Sequence, residues 1–166
     1  MSVQRVTLVI AILLLGLSAG FFFSYAASVT LGLAQVDDIT YVRTFQAIND
    51  AVTNAWFGVV FFGSIFALGA AVAANWSAGR SMRALTGIAL ALYLTGVAIT
   101  GIGNVPLNDE LATVTVLTAQ SAEVARQAYE AEWNRLNLAR TLSIGASFAA
   151  LAVAATSRAP ATRSGH

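Results

Sequence analysis

Four stretches of this chain are too long and too apolar to serve as elements of a water-soluble domain. Residues 6–29, 55–74 and 84–103 run without a charge, and residues 138–156 carry only Arg140, near one end. A hydrocarbon core about 30 Å thick is crossed by roughly 20 helical residues rising 1.5 Å each. Each stretch is close to that length, so the expected fold is all-α: an integral membrane four-helix bundle. Arg140 does not break the fourth span, because a long cationic side chain near a helix end can snorkel to the interface.

Composition agrees. Of 166 residues, 57% are hydrophobic and 10% charged, against about 25% charged in ordinary soluble domains. A net charge of +1 without a basic patch excludes disorder and nucleic-acid binding. With no cysteine there are no disulfides, thiolate metal sites or Cys nucleophiles. The sole histidine, His166, lies on a polar tail, so no metal site is expected.

The first stretch also has a short basic start at Arg5 and small residues at Ala26 and Ala27, as a signal peptide has. Its apolar run exceeds a signal h-region and three spans follow, so it reads as a retained helix. With the N-terminus in the cytoplasm, the inner side carries Arg5, Arg80, Arg83, Arg158 and Arg163 and no acid. The outer side then carries Arg43, Arg126, Arg135, Arg140 and all eight acids. The short loop 75–83 and both tails are purely basic, which favours both termini inside. The expected organisation is one four-span domain over 1–157 with a disordered cytoplasmic tail over 158–166, in the plasma or inner membrane. Tyr25, Trp56, Tyr129 and Trp133 fall near the outer interface and Trp76 near the inner one.

The outer connections read as short amphipathic helices capping the bundle. After an expected N-cap at Asp38, Ile39, Val42, Phe45, Ile48 and Val52 recur at helical spacing. Gln46, Asn49 and Thr53 form a second, uncharged polar stripe, either a solvated face or one turned to the bundle. The other connection opens GNVPLNDEL, residues 103–111. Gly103 and Asn104 look like the end of the third span, with Pro106 preventing continuation, and Asn108 or Asp109 is expected to cap the next helix. A straight helix from there into the fourth span would project about 45 Å, so a turn is expected near Gln120 and Ser121. Gly16 and Gly20 form a GxxxG pair, packing either within the chain or against a second copy as a homodimer. Tyr93, deep in the third span, reads as a phenol hydrogen-bonded to a neighbouring helix.

Four segments occur in order: GFFFSY in the first span, FQAIN before the second, NVPLND after the third and EWNRLNLARTL entering the fourth. Together they resemble the small four-helix membrane family that includes the anthrone oxygenases. The resemblance covers roughly residues 6–150, and NVPLND with Trp133, Asn134 and Arg140 are its most specific pieces. The chain departs from the pattern after the first span, where residues 28–33 read SVTLGL without the Pro common there. The resemblance implies oxidation of an anthrone to an anthraquinone with O₂, and no metal, flavin or other cofactor. Such chemistry needs an aromatic slot, a base, and donors for an enolate oxygen. Phe21, Phe22, Trp56 and Trp133 could wall the slot, Asn104, Asn108, Asn134 and Arg140 could donate, and Asp109 is the candidate base. Gln46 and Asn49 are further candidates for substrate contact. Each residue has a structural alternative: Asn104 and Asn108 as helix caps, Arg140 as the partner of Asp109 or Glu110.

Two functions remain open at this stage. One is an oxygenase acting on a lipophilic aromatic; the other is a non-catalytic module binding a lipid, a quinone or a partner protein. A proton-coupled transporter is disfavoured, since no acid lies within the spans. The inferred orientation has a direct check: a reporter joined after His166 is expected to read cytoplasmic, and a periplasmic signal would invert every label.

Overall fold

The computed structural model describes residues 1–116 and 118–157; the tail expected over 158–166 lies outside the described residues. The described chain is all helical. It forms α1 (Val3–Leu33), α2 (Asp38–Val52), α3 (Ala55–Ala74), α4 (Arg80–Ala112) and α5 (Ala119–Thr156). All but α2 are long and apolar enough to cross a membrane. They close into a ring in which α1 packs on α3 and α5, and α4 packs on α3 and α5.

The 20 residues of α3 span about 30 Å, the thickness of a hydrocarbon core. The other three helices are longer. Their surplus gathers at one end, where α2 lies across α5 and the end of α4. Two separate cores result. Leu15, Phe22, Phe61, Leu68, Tyr93, Ile144 and Leu151 fill the bundle, while Tyr41, Val42, Phe45, Leu111, Tyr129 and Trp133 fill the cap.

Within the bundle, association depends on close approach and on hydroxyls that bridge helices, because lipid offers no hydrophobic drive between them. Ser147 Oγ donates to the Ala89 carbonyl at 2.6 Å and Ser143 Oγ to that of Leu92 at 2.8 Å, tying α5 to α4. Tyr93 makes the expected inter-helix bonds, donating to the Phe61 carbonyl at 2.8 Å and lying 3.1 Å from Ser18 Oγ. Gly96 lets α4 and α5 meet: a Cβ there would fall 2.6 Å from the buried Ile144 side chain. Gly16 packs within the chain against the Phe148 ring, whereas a Cβ on Gly20 would meet nothing within 4 Å.

Several boundaries differ from the sequence-based expectation. Pro106 does not end the third span. A π turn over Thr100–Asn104 widens α4 just ahead of it, and Pro106 falls in the first turn of the resumed α-helix. There its missing N–H is tolerated and the wider turn relieves the clash of its ring. Asn104 and Asn108 therefore lie inside a continuous helix and cap nothing. The helix breaks after Ala112 rather than near 120, and α5 restarts on a reciprocal capping box of Thr118 and Ser121. The N-cap of α2 is Asp37, not Asp38: Asp37 accepts from the Thr40 backbone N–H at 3.0 Å and its hydroxyl at 2.6 Å. Asp38 instead pairs with Arg126 at 3.0 Å. Tyr129 and Trp133 are both buried in the cap. Before α4 the chain reverses at Gly79, whose φ of 107° disfavours a side chain.

Two outcomes follow for stability. Gly96→Ala is expected to destabilise the bundle by about 1–3 kcal/mol through overpacking, measured by thermal unfolding, while Gly20→Ala leaves the midpoint unchanged. The hydrogen bonds from Thr40 hold the Asp37 carboxyl below its ordinary value of 3.8. A depressed carboxylate stabilises the fold above its unfolded pKa and loses that contribution as pH falls through the folded one. An acid titration of unfolding should therefore show a loss below pH 3.8 that Asp37→Ala removes.

Candidate functional site

A cavity of ≈ 610 Å³ opens at the seam between bundle and cap. Phe21, Phe22 and Phe57 from the bundle and Trp133 from the cap face it, so aromatic rings form part of its wall. Two π turns lie beside it, Tyr25–Val29 in α1 and Thr100–Asn104 in α4, and Tyr25 and Thr100 contribute to its lining. Asp50 and Asp109 are exposed carboxylates on the same lining.

Arg140 is the centre of the site. Instead of snorkelling it turns inward and is only 5% exposed. Among the described residues no carboxylate pairs with it, since the ion pairs join Arg126 to Asp38 and Glu130, and Arg135 to Glu132. The alternative in which Arg140 pairs with Asp109 or Glu110 is thus not what the fold adopts. Its guanidinium lies 4.5 Å from the Phe22 ring centroid and 5.1 Å from that of Trp133. Cation–π attraction of about 0.5–2 kcal/mol per ring offsets part of the burial cost. Its Nε and Nη2 both donate to Asn137 Oδ1, at 3.2 and 3.0 Å, and Nη1 reaches Thr100 Oγ1 at 3.5 Å. Helical spacing makes this possible: Trp133, Asn137 and Arg140 are three or four residues apart on one face of α5.

Asn108 is oriented just as firmly. Trp133 Nε1, which can only donate, lies 2.7 Å from Asn108 Oδ1, and the Tyr129 hydroxyl donates to the same oxygen at 2.8 Å. The Asn108 amide nitrogen must therefore point away from both, and Asn108 lines the cavity. Asn49 Nδ2 is buried on the same wall with no hydrogen-bond partner among the described residues. Gln46 also lines it, but its Nε2 is engaged, donating to the Leu111 and Val114 carbonyls at 2.7 and 2.9 Å. It ties α2 to the C-terminal end of α4, adding a second donor to the Leu111 carbonyl and supplying one to that of Val114.

Eight of the residues expected from sequence thus meet at one cavity: Phe21, Phe22, Gln46, Asn49, Asn108, Asp109, Trp133 and Arg140. Three do not line it. Asn104 is fully buried behind it, donating to the Trp133 carbonyl at 3.3 Å, with Oδ1 unpartnered among the described residues. Asn134 lies on another face of α5, in a groove with Asp38, Arg126 and Glu130. Trp56 is 85% exposed and borders a separate apolar groove of ≈ 440 Å³ beside α1. Sequence reasoning missed Tyr25, Asp50, Thr100 and Asn137. Asp50 was legible as one helical turn beyond Gln46, and Asn137 as the residue one turn before Arg140. The positions of Tyr25 and Thr100 depend on π turns and had no such signal. Among the described residues no three His, Cys, Asp or Glu side chains gather to hold a metal ion.

Fold and site together define a membrane-type four-helix bundle capped over an aromatic cavity that holds a buried cation. A family model described as Anthrone oxygenase matches residues 45–150, and the chain belongs to that family. No curated protein and no solved structure matches the chain. The matched range begins at the first residue of FQAIN and ends within α5, so it contains FQAIN, NVPLND and the α5 site residues, while GFFFSY lies outside it.

The attachment of the cap can be tested at Gln46. Gln46→Ala removes the side-chain donor from the Val114 carbonyl and one of two donors from that of Leu111; it is expected to cost about 1–3 kcal/mol, with faster amide exchange over residues 105–116.

Proposed function

We propose that the cavity binds a flat, lipophilic, enolisable aromatic of the anthrone type and that the chain oxidises it with O₂ to the corresponding quinone. The observation that carries this reading is Arg140: a buried guanidinium that has no carboxylate partner among the described residues, held between two aromatic rings at the wall of a cavity that mixes aromatic and uncharged polar side chains with two rim carboxylates. Keeping such a charge out of water costs several kcal/mol unless an anion completes it. An enolate oxygen is the anion that an aromatic-walled slot would bring.

An anthrone carries an acidic methylene para to its carbonyl across the central ring. A rim carboxylate, Asp109, takes one methylene proton, and the negative charge passes to the carbonyl oxygen, where Arg140 and the Asn108 amide can donate to it. The electron-rich enolate passes one electron to O₂, and the radical pair combines into a C–O bond, giving a hydroperoxide after protonation. Loss of the remaining C–H proton then breaks the O–O bond and releases water. Overall the methylene carbon loses four electrons, and O₂ supplies one oxygen to the new carbonyl and one to water. The electrons come from the substrate, so no further reductant enters. Donors aimed at the developing oxyanion in a water-poor site contribute about 2.7–4 kcal/mol each in comparable enzymes.

The positive-inside pattern supports an orientation with both termini in the cytoplasm and the capped end of a plasma or inner membrane protein facing outward. The apolar groove beside α1 supports the second reading, a module that holds a lipid or a quinone without chemistry. Oxygen uptake with emodin anthrone separates them. Wild-type protein should consume O₂ faster than buffer, Arg140→Ala should lower kcat/KM by about 10²–10³-fold, and Asp109→Asn by about 10²-fold. No acceleration over a panel of enolisable aromatics would overturn the oxygenase and leave the binding module.

A further inference from the structure

The neighbour that orients Arg140 is an amide where a carboxylate would fit. Asn137 is 1% exposed. Its Oδ1 accepts from both Nε and Nη2 of Arg140, the edge of a guanidinium that an Asp or Glu most often grips in two bonds. A neutral acceptor supplies the geometry of that grip without its charge. Counting donors shows what is left. A guanidinium has five N–H groups; two engage Asn137 and one engages Thr100 Oγ1, so Nη1 and Nη2 each keep one N–H without a protein acceptor. Its other neighbours are the two ring faces and the Tyr25 and Tyr129 phenols, which are likewise neutral.

We infer that Asn137 is a positioning residue that aims Arg140 while leaving its charge uncompensated, so that the cavity takes a phenolic or enolic ligand as its anion. The inference rests on the reading of the cavity given above but adds a selectivity to it. The site recognises the ionised form of a planar aromatic hydroxyl compound, including compounds that have no methylene to oxidise. Deprotonation of the ligand is then driven by the fixed cation as well as by the base. An Asp at 137 would occupy the same volume, form the same two bonds and make a better-satisfied interior, yet would neutralise Arg140 before any ligand arrives. The feature that singles out the functional role is therefore the one a stability argument would not favour.

Alizarin reports the difference, because it lacks an oxidisable methylene and changes colour when a phenol ionises. With full-length protein in neutral detergent, the ratio of ionised to neutral bound dye should exceed that of free dye at the same pH by about tenfold or more. Asn137→Asp should bind the dye with that enrichment abolished and a thermal midpoint no lower than wild type. A purely structural Asn137 would leave the enrichment in place, so its retention in Asn137→Asp overturns the inference. Wild-type protein that binds alizarin without enrichment, or not at all, overturns it too. Should Asn137→Asp fail to fold, Arg140→Gln decides: the inference requires the enrichment to vanish there and falls if it persists. Oxygen uptake with emodin anthrone, measured on the same preparation, keeps the two readings apart. Enrichment without uptake removes the oxygenase and leaves the anion site; uptake without enrichment does the reverse.

Discussion

A buried positive charge that has no carboxylate partner among the described residues is the constraint around which this structure is arranged. Arg140 enters the fold on a helix that belongs to the membrane-type bundle, at the seam with the cap, where it faces the cavity. Its burial is tolerable because three neutral partners share the load: the Phe22 face from the bundle, the Trp133 face from the cap, and the Asn137 oxygen from its own helix. None of the three cancels the charge. The cap strengthens the effect, since excluding water lowers the local dielectric and lengthens the reach of an uncompensated cation.

Holding the cap in place is accordingly a separate structural task with its own core and its own fastenings. Gln46 ties α2 to the end of α4. On the other side Arg126 donates to the Val36 carbonyl at 2.9 Å and to Asp38 at 3.0 Å, bonds Glu130 at 2.7 Å, and lies 4.4 Å over the Tyr41 ring. Burial pushes the Tyr41 phenol above its ordinary range, so this contact stays neutral on the tyrosine side. The two arginines divide the roles: Arg126 is saturated with acceptors and fastens, whereas Arg140 is left unsaturated and faces the cavity.

The bundle was legible because membrane crossing depends on run length and charge alone, and α3 coincides with the stretch read from sequence. The amphipathic character of α2 was equally legible, since Val42 and Phe45 sit where their spacing placed them. Convergence on one end of the molecule followed from charge asymmetry and the Asn-rich turn. Face assignment was less legible. Asn134 was grouped with Trp133 and Arg140, and Asn104 with Asn108, through the segments they share; yet Asn134, one residue past Trp133, falls on a different face of its helix, and Asn104 bonds the Trp133 carbonyl instead of facing the cavity. Trp56 and Trp133 looked alike as aromatic anchors, and only tertiary packing sends one outward and the other into the cap. Pro106 misled for a local reason, because a π turn ahead of it absorbs the conflict that ordinarily ends a helix.

Those π turns have a consequence for phase. Each amounts to one residue added to an α-helix without breaking it, and one residue rotates everything downstream by about 100°. Residues of α1 beyond Val29 and of α4 beyond Asn104 are therefore turned relative to the spans that carry them. A face that points at lipid below the seam continues as a face that points into the cap above it. Removing a single residue within 100–104 would close an ordinary α turn and leave every span intact. Because the π turn already absorbs that residue, Asn108 and Asp109 would keep their face. Turning Thr100–Asn104 into α-helix without a deletion would instead swing both by about 100° off the cavity wall. The site is thus encoded partly as an angular offset, set by which kind of turn those residues close.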